Sequence, residues 1–193
     1  MQVFRQIFVD LVNVLFGFFI AVLIYLALRS YVFMPFQVSG HSMDPTLADG
    51  QHMLLSKQSE IKRFDIIVVP DPSGSGKYFV KRLIGLPGDQ LEMKHDQLRL
   101  NGHVIKEPYL SKRSRVKEKQ PFTEDFSLYE LTGYKVIPAG YCFVMGDNRP
   151  HSGDSRQFGL IPIESIQGEA NIRFYPFQEA KIFENNLSND KLK

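Results

Sequence analysis

The chain has 193 residues, 44% of them hydrophobic, and 23 Lys and Arg against 21 Asp and Glu leave a formal net charge of +2. This length suits one globular domain plus an additional apolar element, and so small a charge argues for neither a nucleic-acid-binding surface nor a polybasic membrane patch. A single cysteine, Cys142, excludes an intrachain disulfide and with it a disulfide-stabilised fold.

The apolar element comes first. From Leu11 to Leu28 there is no charged residue, and extension back to Ile7 gives roughly 20 residues, enough at about 1.5 Å each to cross a hydrocarbon core. Asp10 and Arg29 flank the run, and Tyr25, Tyr31, Phe33 and Phe36 are placed to meet a headgroup layer. Only Asn13 and Tyr25 interrupt it, so it lacks the polar stripe of a core helix. Ala21, Ala27 and Ser30 form no convincing small-x-small cleavage site, which favours an uncleaved anchor over residues 1–30. Positive charge lies at both ends (the amino terminus and Arg5 against Arg29), so the positive-inside rule leaves orientation open.

Beyond residue 36 the pattern changes to short β-like runs broken by turn residues. Residues 52–55, 65–69 and 78–84 are rich in strand formers. Residues 96–100 and 103–105 flank Asn101-Gly102, a strong hairpin signal. Residues 134–137 and 141–145 predict a second hairpin across Pro138-Ala139-Gly140, and residues 171–175 a last strand. Residues 31–183 are thus expected to form one β-rich domain. The polar stretch 111–120 predicts a solvated loop, part of an insertion reaching residue 132, and residues 184–193 a polar tail.

Two segments carry potential chemistry. Ser42 lies in Val38-Ser39-Gly40-His41-Ser42-Met43-Asp44-Pro45-Thr46-Leu47, and Lys81 in Tyr78-Phe79-Val80-Lys81-Arg82. A serine hydroxyl needs a neighbouring base, and a lysine serves if burial lowers its pKa from about 10.4 toward neutrality. Strand alternation puts Phe79, Lys81 and Leu83 on one face, apolar enough for such burial, and turns Arg82 the other way. Taken alone, a strand lysine is more often a solvated edge charge, and a serine before Pro45 a turn residue.

Set beside Gly146-Asp147-Asn148-Arg149-Pro150-His151-Ser152-Gly153-Asp154-Ser155-Arg156-Gln157-Phe158-Gly159, these segments reverse that weighting. Gly-x-Ser-Met-x-Pro-Thr-Leu at 40–47, Val-Lys-Arg-x-x-Gly-x-Pro-Gly-Asp at 80–89 and the 146–159 segment follow a spanning helix in order. In this the chain resembles a bacterial type I signal peptidase of the S26 family, of the Gram-positive, single-anchor kind. The resemblance implies a mainly β fold, a single transmembrane helix followed by an all-β signal-peptidase-like catalytic domain. It implies a membrane-bound serine endopeptidase that removes signal peptides from exported preproteins after small-x-small sites, with no cofactor or metal.

By the same resemblance Ser42 matches the nucleophile and Lys81 the general base, with Ser152 hydrogen-bonding the lysine amine. Asp154 with Arg156, and Arg82 with Asp147, match supporting ion pairs. Gly40 stands where Gram-negative members carry a serine that helps bind the oxyanion, which leaves only the Ser42 amide as an assigned donor. Loss of one such donor typically costs about 3 kcal/mol of transition-state stabilisation. Phe36, Val38, Met43, Leu47, Met53 and Val80 resemble the wall of the substrate pockets, although Leu47 and Met53 fit core packing nearly as well. The implied partners are preprotein signal peptides at the membrane surface and the lipid bilayer, not nucleic acid. The implied location is the cell membrane, single-pass, with the catalytic domain extracytoplasmic. Because only about a dozen residues separate Leu28 from Ser42, the site must lie near the bilayer. A relative that binds exported subunits without cutting, one that cuts itself or a dedicated pilin-like client, and a mitochondrial processing peptidase are the competing readings.

Other signals are weaker. His41 adjoins Ser42, but neighbours in an extended segment face opposite ways, and His151 reads as an exposed loop residue. His52, His95 and His103 lack ligand spacing. Residues 73–78 look like a phosphate loop, but Asp71 replaces its first glycine and Tyr78 its metal-binding hydroxyl, so a hairpin loop is expected. Cys142, inside an apolar run, reads as a buried structural thiol rather than a nucleophile.

Overall fold

The computed structural model describes residues 2–31, 33–110 and 121–183. Helix α1 (Gln2–Tyr31) is apolar around its whole circumference, and its segment Gln2–Leu26 is long and apolar enough to cross a membrane, with none of it buried in the protein. Its 30 residues leave no polar stripe to face water, so lipid is the solvent its composition fits.

The remainder is a curled antiparallel β structure. In chain order the strands are β1 (Phe33–Gln37), β2 (His52–Ser56), β3 (Ile66–Pro70), β4 (Tyr78–Gly85), β5 (Leu91–Lys94), β6 (Gln97–Leu100) and β7 (His103–Ile105). Then come β8 (Phe126–Ser127), helix α2 (Leu128–Thr132), β9 (Tyr141–Met145), helix α3 (Ser155–Phe158), β10 (Ile161–Pro162), β11 (Gly168–Tyr175) and β12 (Lys181–Ile182). The larger sheet runs β1-β2-β11-β3-β4-β9-β10 with β12 on β11, and the smaller runs β7-β6-β5-β8. Central strand β3 is Ile-Ile-Val-Val-Pro and buried through Val69, as a strand covered on both faces should be, whereas β5 alternates buried and exposed residues. The Asn101-Gly102 hairpin forms between β6 and β7, with both turn residues at positive φ. Residues 71–77 close the β3–β4 hairpin through Asp71 N–H to Lys77 O at 2.9 Å.

Two expectations need correction. Residues 134–137 are not a strand, because β9 takes β4 and β10 as its neighbours. Ile137 instead exchanges backbone hydrogen bonds with residues 88 and 89 and buries its side chain in the core between the sheets. The expected insertion to residue 132 is also shorter than its sequence suggests. Phe126 and Ser127 pair with β5, and α2 is closed by a Ser127–Glu130 capping box with buried Leu128 beneath it. Residues 111–120 and the tail 184–193 lie outside the described residues.

Candidate active site

The Ser42 segment leaves β1 at Gln37 and folds back onto the start of β2. Val38 N–H donates to Gln51 O at 2.8 Å, and Gly50 N–H to Val38 O at 3.0 Å. Gly40 has φ +88°, a left-handed conformation that L side chains rarely adopt, and its amide donates to Asp49 Oδ1 at 2.7 Å. That backbone accounts for glycine at this position and makes a serine there unfavourable. Met43 and Leu47 are buried and pin the loop, while Ser42 stays half-exposed between them and solvent.

Lys81 comes from the middle of β4, opposite Ile67 of β3. Its Nζ hydrogen-bonds Ser42 Oγ at 2.7 Å and lies 5.3 Å from the centroid of the Phe79 ring. Only 3% of the residue is exposed. Burial pushes its pKa down to about 8; the Asp154 and Asp147 carboxylates pull upward and the Arg156 guanidinium adds to the lowering. At pH 7 about a tenth of such amines are neutral, against well under a thousandth at the ordinary value. A neutral amine in that position can accept the hydroxyl proton.

A loop after β9 packs against the Ser42 segment. Asn148 N–H donates to Ser42 O at 3.0 Å, and Asn148 Nδ2 to His41 O at 2.9 Å. Gly146 lies so close that a Cβ there would overlap both the Ser42 carbonyl oxygen and Ser152 Oγ. Asp147 accepts two hydrogen bonds from Arg82, at 2.8 and 2.6 Å, and one from Thr46 Oγ1. Arg82 also donates to Phe64 O and covers the Tyr109 ring at 4.0 Å. Asp154, fully buried, accepts from Arg156 Nε and Nη2 at 2.8 Å each and from Gly146 N–H at 2.9 Å. Both expected ion pairs therefore form. Ser152 is buried beside them, but its Oγ has no hydrogen-bond partner among the described residues, so the implied bond to Lys81 is not made here. The amine points to Ser42 instead.

A groove of about 400 Å³ opens beside Ser42 and Lys81, with Phe36, Val38, Met43 and Val80 among its lining residues. Leu47 and Met53 do not line it; both have 0% exposure and pack in the core beneath. The groove lies between β1 and the first half of β4. Strand β1 pairs only with β2, and β9 joins β4 only from Arg82 onward, so both strands leave a backbone edge free there among the described residues. A second cavity of about 490 Å³ continues past Ser42 and Lys81, lined by Ser39, His151, Gln157 and Phe158 among others.

The signals set aside make ordinary surface or core contacts. His41 Nδ1 is 2.9 Å from Asp44 Oδ2 on the surface. His52 packs edge-on to Phe174 and Tyr175. Cys142 has 0% exposure, and burial pushes its thiol up to about 12.

Sequence reasoning missed two buried ion pairs, Arg149–Glu107 and Arg63–Asp89. Arg149 and Asp89 stand inside the recognised segments and could have been questioned there. Glu107 sits between Lys106 and Pro108 with no local signal at all.

The family described as Signal peptidase, peptidase S26 matches residues 11–175. Signal peptidase I of Bacillus caldolyticus is 42% identical over 165 residues, 83% of this chain and 90% of that protein. Signal peptidase I T of Bacillus subtilis (strain 168) is 43% identical over 169 residues, 84% of each. A crystal structure of a signal peptidase I from Enterococcus faecalis V583 aligns with TM-score 0.54 and 43% identity, covering 57% of this chain and 97% of that one. With most of its length matched and its polar constellation assembled around Ser42 and Lys81, the chain belongs to the S26 family of signal peptidases, as a bacterial type I member.

Proposed function

We propose that the chain removes signal peptides from exported preproteins by a Ser-Lys mechanism, cutting after small-x-small sites. The observation that carries this reading is the 2.7 Å contact between Lys81 Nζ and Ser42 Oγ, with the amine buried. Neutral Lys81 takes the hydroxyl proton as Ser42 Oγ attacks the carbonyl of the last signal-peptide residue. The Ser42 amide stabilises the oxyanion, and Lys81 then protonates the departing amine. Water, deprotonated by the same lysine, hydrolyses the acyl-enzyme and frees Ser42. No cofactor enters these steps.

The groove supports the choice of substrate. An extended peptide laid between β1 and β4 meets free backbone edges on both sides, and alternate side chains point at the apolar floor. Walls from Phe36, Val38, Met43 and Val80 suit small side chains there. We take α1 as the membrane anchor and place the catalytic domain on the extracytoplasmic side. Strand β1 begins at Phe33, just after α1 ends at Tyr31, which keeps one end of the groove near the bilayer.

The test is cleavage of a preprotein by the full chain in detergent, with Ser42→Ala and Lys81→Ala beside the wild type. Cutting after a small-x-small site by wild type alone, with both variants folded, is the expected result. Normal cutting by Lys81→Ala would remove the proposed base, and an inactive wild type would favour a binding role.

A further inference from the structure

The smaller sheet contributes nothing to the dyad or the groove, yet one carboxylate from its chain segment reaches beneath the active-site loop. Arg149 is wholly buried, and its Nη2 donates to Glu107, which lies just beyond β7. Tyr109 Oη donates to the same Glu107 oxygen at 2.6 Å. Arg149 Nη1 reaches Thr123 Oγ1 at 3.5 Å, so Arg149 is held by residues on both sides of the 111–120 segment. Its Nε donates to Gly146 O at 3.1 Å.

Gly146 is therefore gripped on both sides of its backbone. Arg149 holds its carbonyl, and Asp154 accepts from its amide at 2.9 Å. The two grips are joined, because Arg156, paired with Asp154, donates from Nη2 to Arg149 O at 2.7 Å. With no space for even a Cβ between Gly146 and the Ser42 carbonyl, a small shift of Gly146 must move Ser42 or Ser152. Asn148 N–H on Ser42 O would move with it.

We propose that Glu107 is a positioning residue for the reaction: through Arg149 it fixes the Gly146 carbonyl, and so the register of the 146–152 loop against Ser42. The catalytic consequence rests on the Ser-Lys reading above; the mechanical coupling does not. Removing the charge of Glu107 leaves Arg149 buried without its counter-ion, and Arg149 then releases Gly146 to seek other acceptors.

The experiment uses the full chain in detergent with Glu107→Gln, Glu107→Asp, Tyr109→Phe and, as a control, Asp89→Asn. Asp89 pairs with Arg63 in another buried ion pair, which bonds Ile84 O and Leu86 N–H. Single-turnover cleavage at saturating substrate, KM and the thermal midpoint are measured for each variant, with amide hydrogen exchange across 146–152. Glu107→Gln is expected to cut at least about tenfold more slowly with KM changed less than about twofold, and Glu107→Asp to recover much of the loss. Exchange in the loop should quicken about tenfold while β2 keeps its protection. Asp89→Asn should lose thermal stability yet keep its rate within about twofold. A Glu107→Gln rate within about twofold of wild type, or one no lower than Asp89→Asn at equal loss of thermal midpoint, overturns the proposal. If Glu107→Gln does not fold, Tyr109→Phe decides: an unchanged rate and unchanged loop exchange overturn it, and a fall of about threefold or more supports it. Quickened exchange with cleavage that survives Ser42→Ala would instead keep the coupling and remove the Ser-Lys reading.

Discussion

Thr46 Oγ1 donates to Asp147 Oδ2 at 2.6 Å, joining positions 101 residues apart in the chain. The same carboxylate accepts from two nitrogens, Nε and Nη2, of Arg82, the neighbour of Lys81 on β4. One buried aspartate thus ties together the segment bearing the serine, the strand bearing the lysine and the loop that packs on both.

Thr46→Val keeps the shape of the side chain and deletes the hydroxyl. A hydrogen bond to a charged, buried group contributes about 1.5–3 kcal/mol, so the variant should lose roughly 2 kcal/mol of stability. Arg82 still neutralises Asp147, and the cleavage rate should fall less than about tenfold. Denaturant midpoints and initial rates check both figures; unchanged stability would mean that this bond is matched by water in the variant.

The cleavage rate should rise with pH as Lys81 loses its proton. The ammonium form cannot accept the hydroxyl proton, and burial sets the midpoint at about 8. Single-turnover rates should therefore climb about tenfold per pH unit below that midpoint and level off above it. A flat profile from about pH 5 to 9 would exclude this lysine as the base.

Lys81 should also cost stability. Its folded pKa of about 8 lies below the ordinary 10.5, so between those values the unfolded chain binds a proton that the folded protein does not. Stability consequently increases as pH rises through that window, and the penalty is full below about 8. Lys81→Met should remove up to about 3 kcal/mol of it at pH 7, raising the thermal midpoint by roughly 5–10 °C while abolishing activity. The gain should shrink to nothing above about pH 10.5. A variant no more stable than wild type at pH 7 would contradict the burial penalty.

Groove and core substitutions should separate cleanly. Leu47→Ala leaves a cavity in a fully buried cluster and should cost about 2–5 kcal/mol without altering which preproteins are cut. Phe36→Ala removes part of the groove wall and should admit larger side chains near the cut at little cost in stability. A panel of preproteins varied at the first and third positions before the cut reads the difference. A specificity change in Leu47→Ala would place that residue in the pocket after all.

Much of this protein is written locally. The uncharged run to Leu28 has to be a helix in an apolar surrounding, because only that satisfies its backbone away from water. Asn101-Gly102 selects its hairpin through positive φ, and the alternation around Lys81 does place the amine over Phe79 while Arg82 turns away to Asp147. The family resemblance of the three motif segments pointed to Ser42, Lys81, Asp147, Asp154 and their arginines, and these side chains do lie in pairs within hydrogen-bond reach. What local pattern could not convey is which groups meet across long stretches of chain. Residues 134–137 have the composition of a strand, but β9 was already paired on both edges, so Ile137 joined the core instead. Leu47 and Met53 are as apolar as Val38 and Val80, and only the tertiary fold puts the first two in the core and the second two along the groove. Glu107 and Arg149 find each other for the same reason: a buried charge needs a counter-ion, and the partner is chosen by packing rather than by spacing.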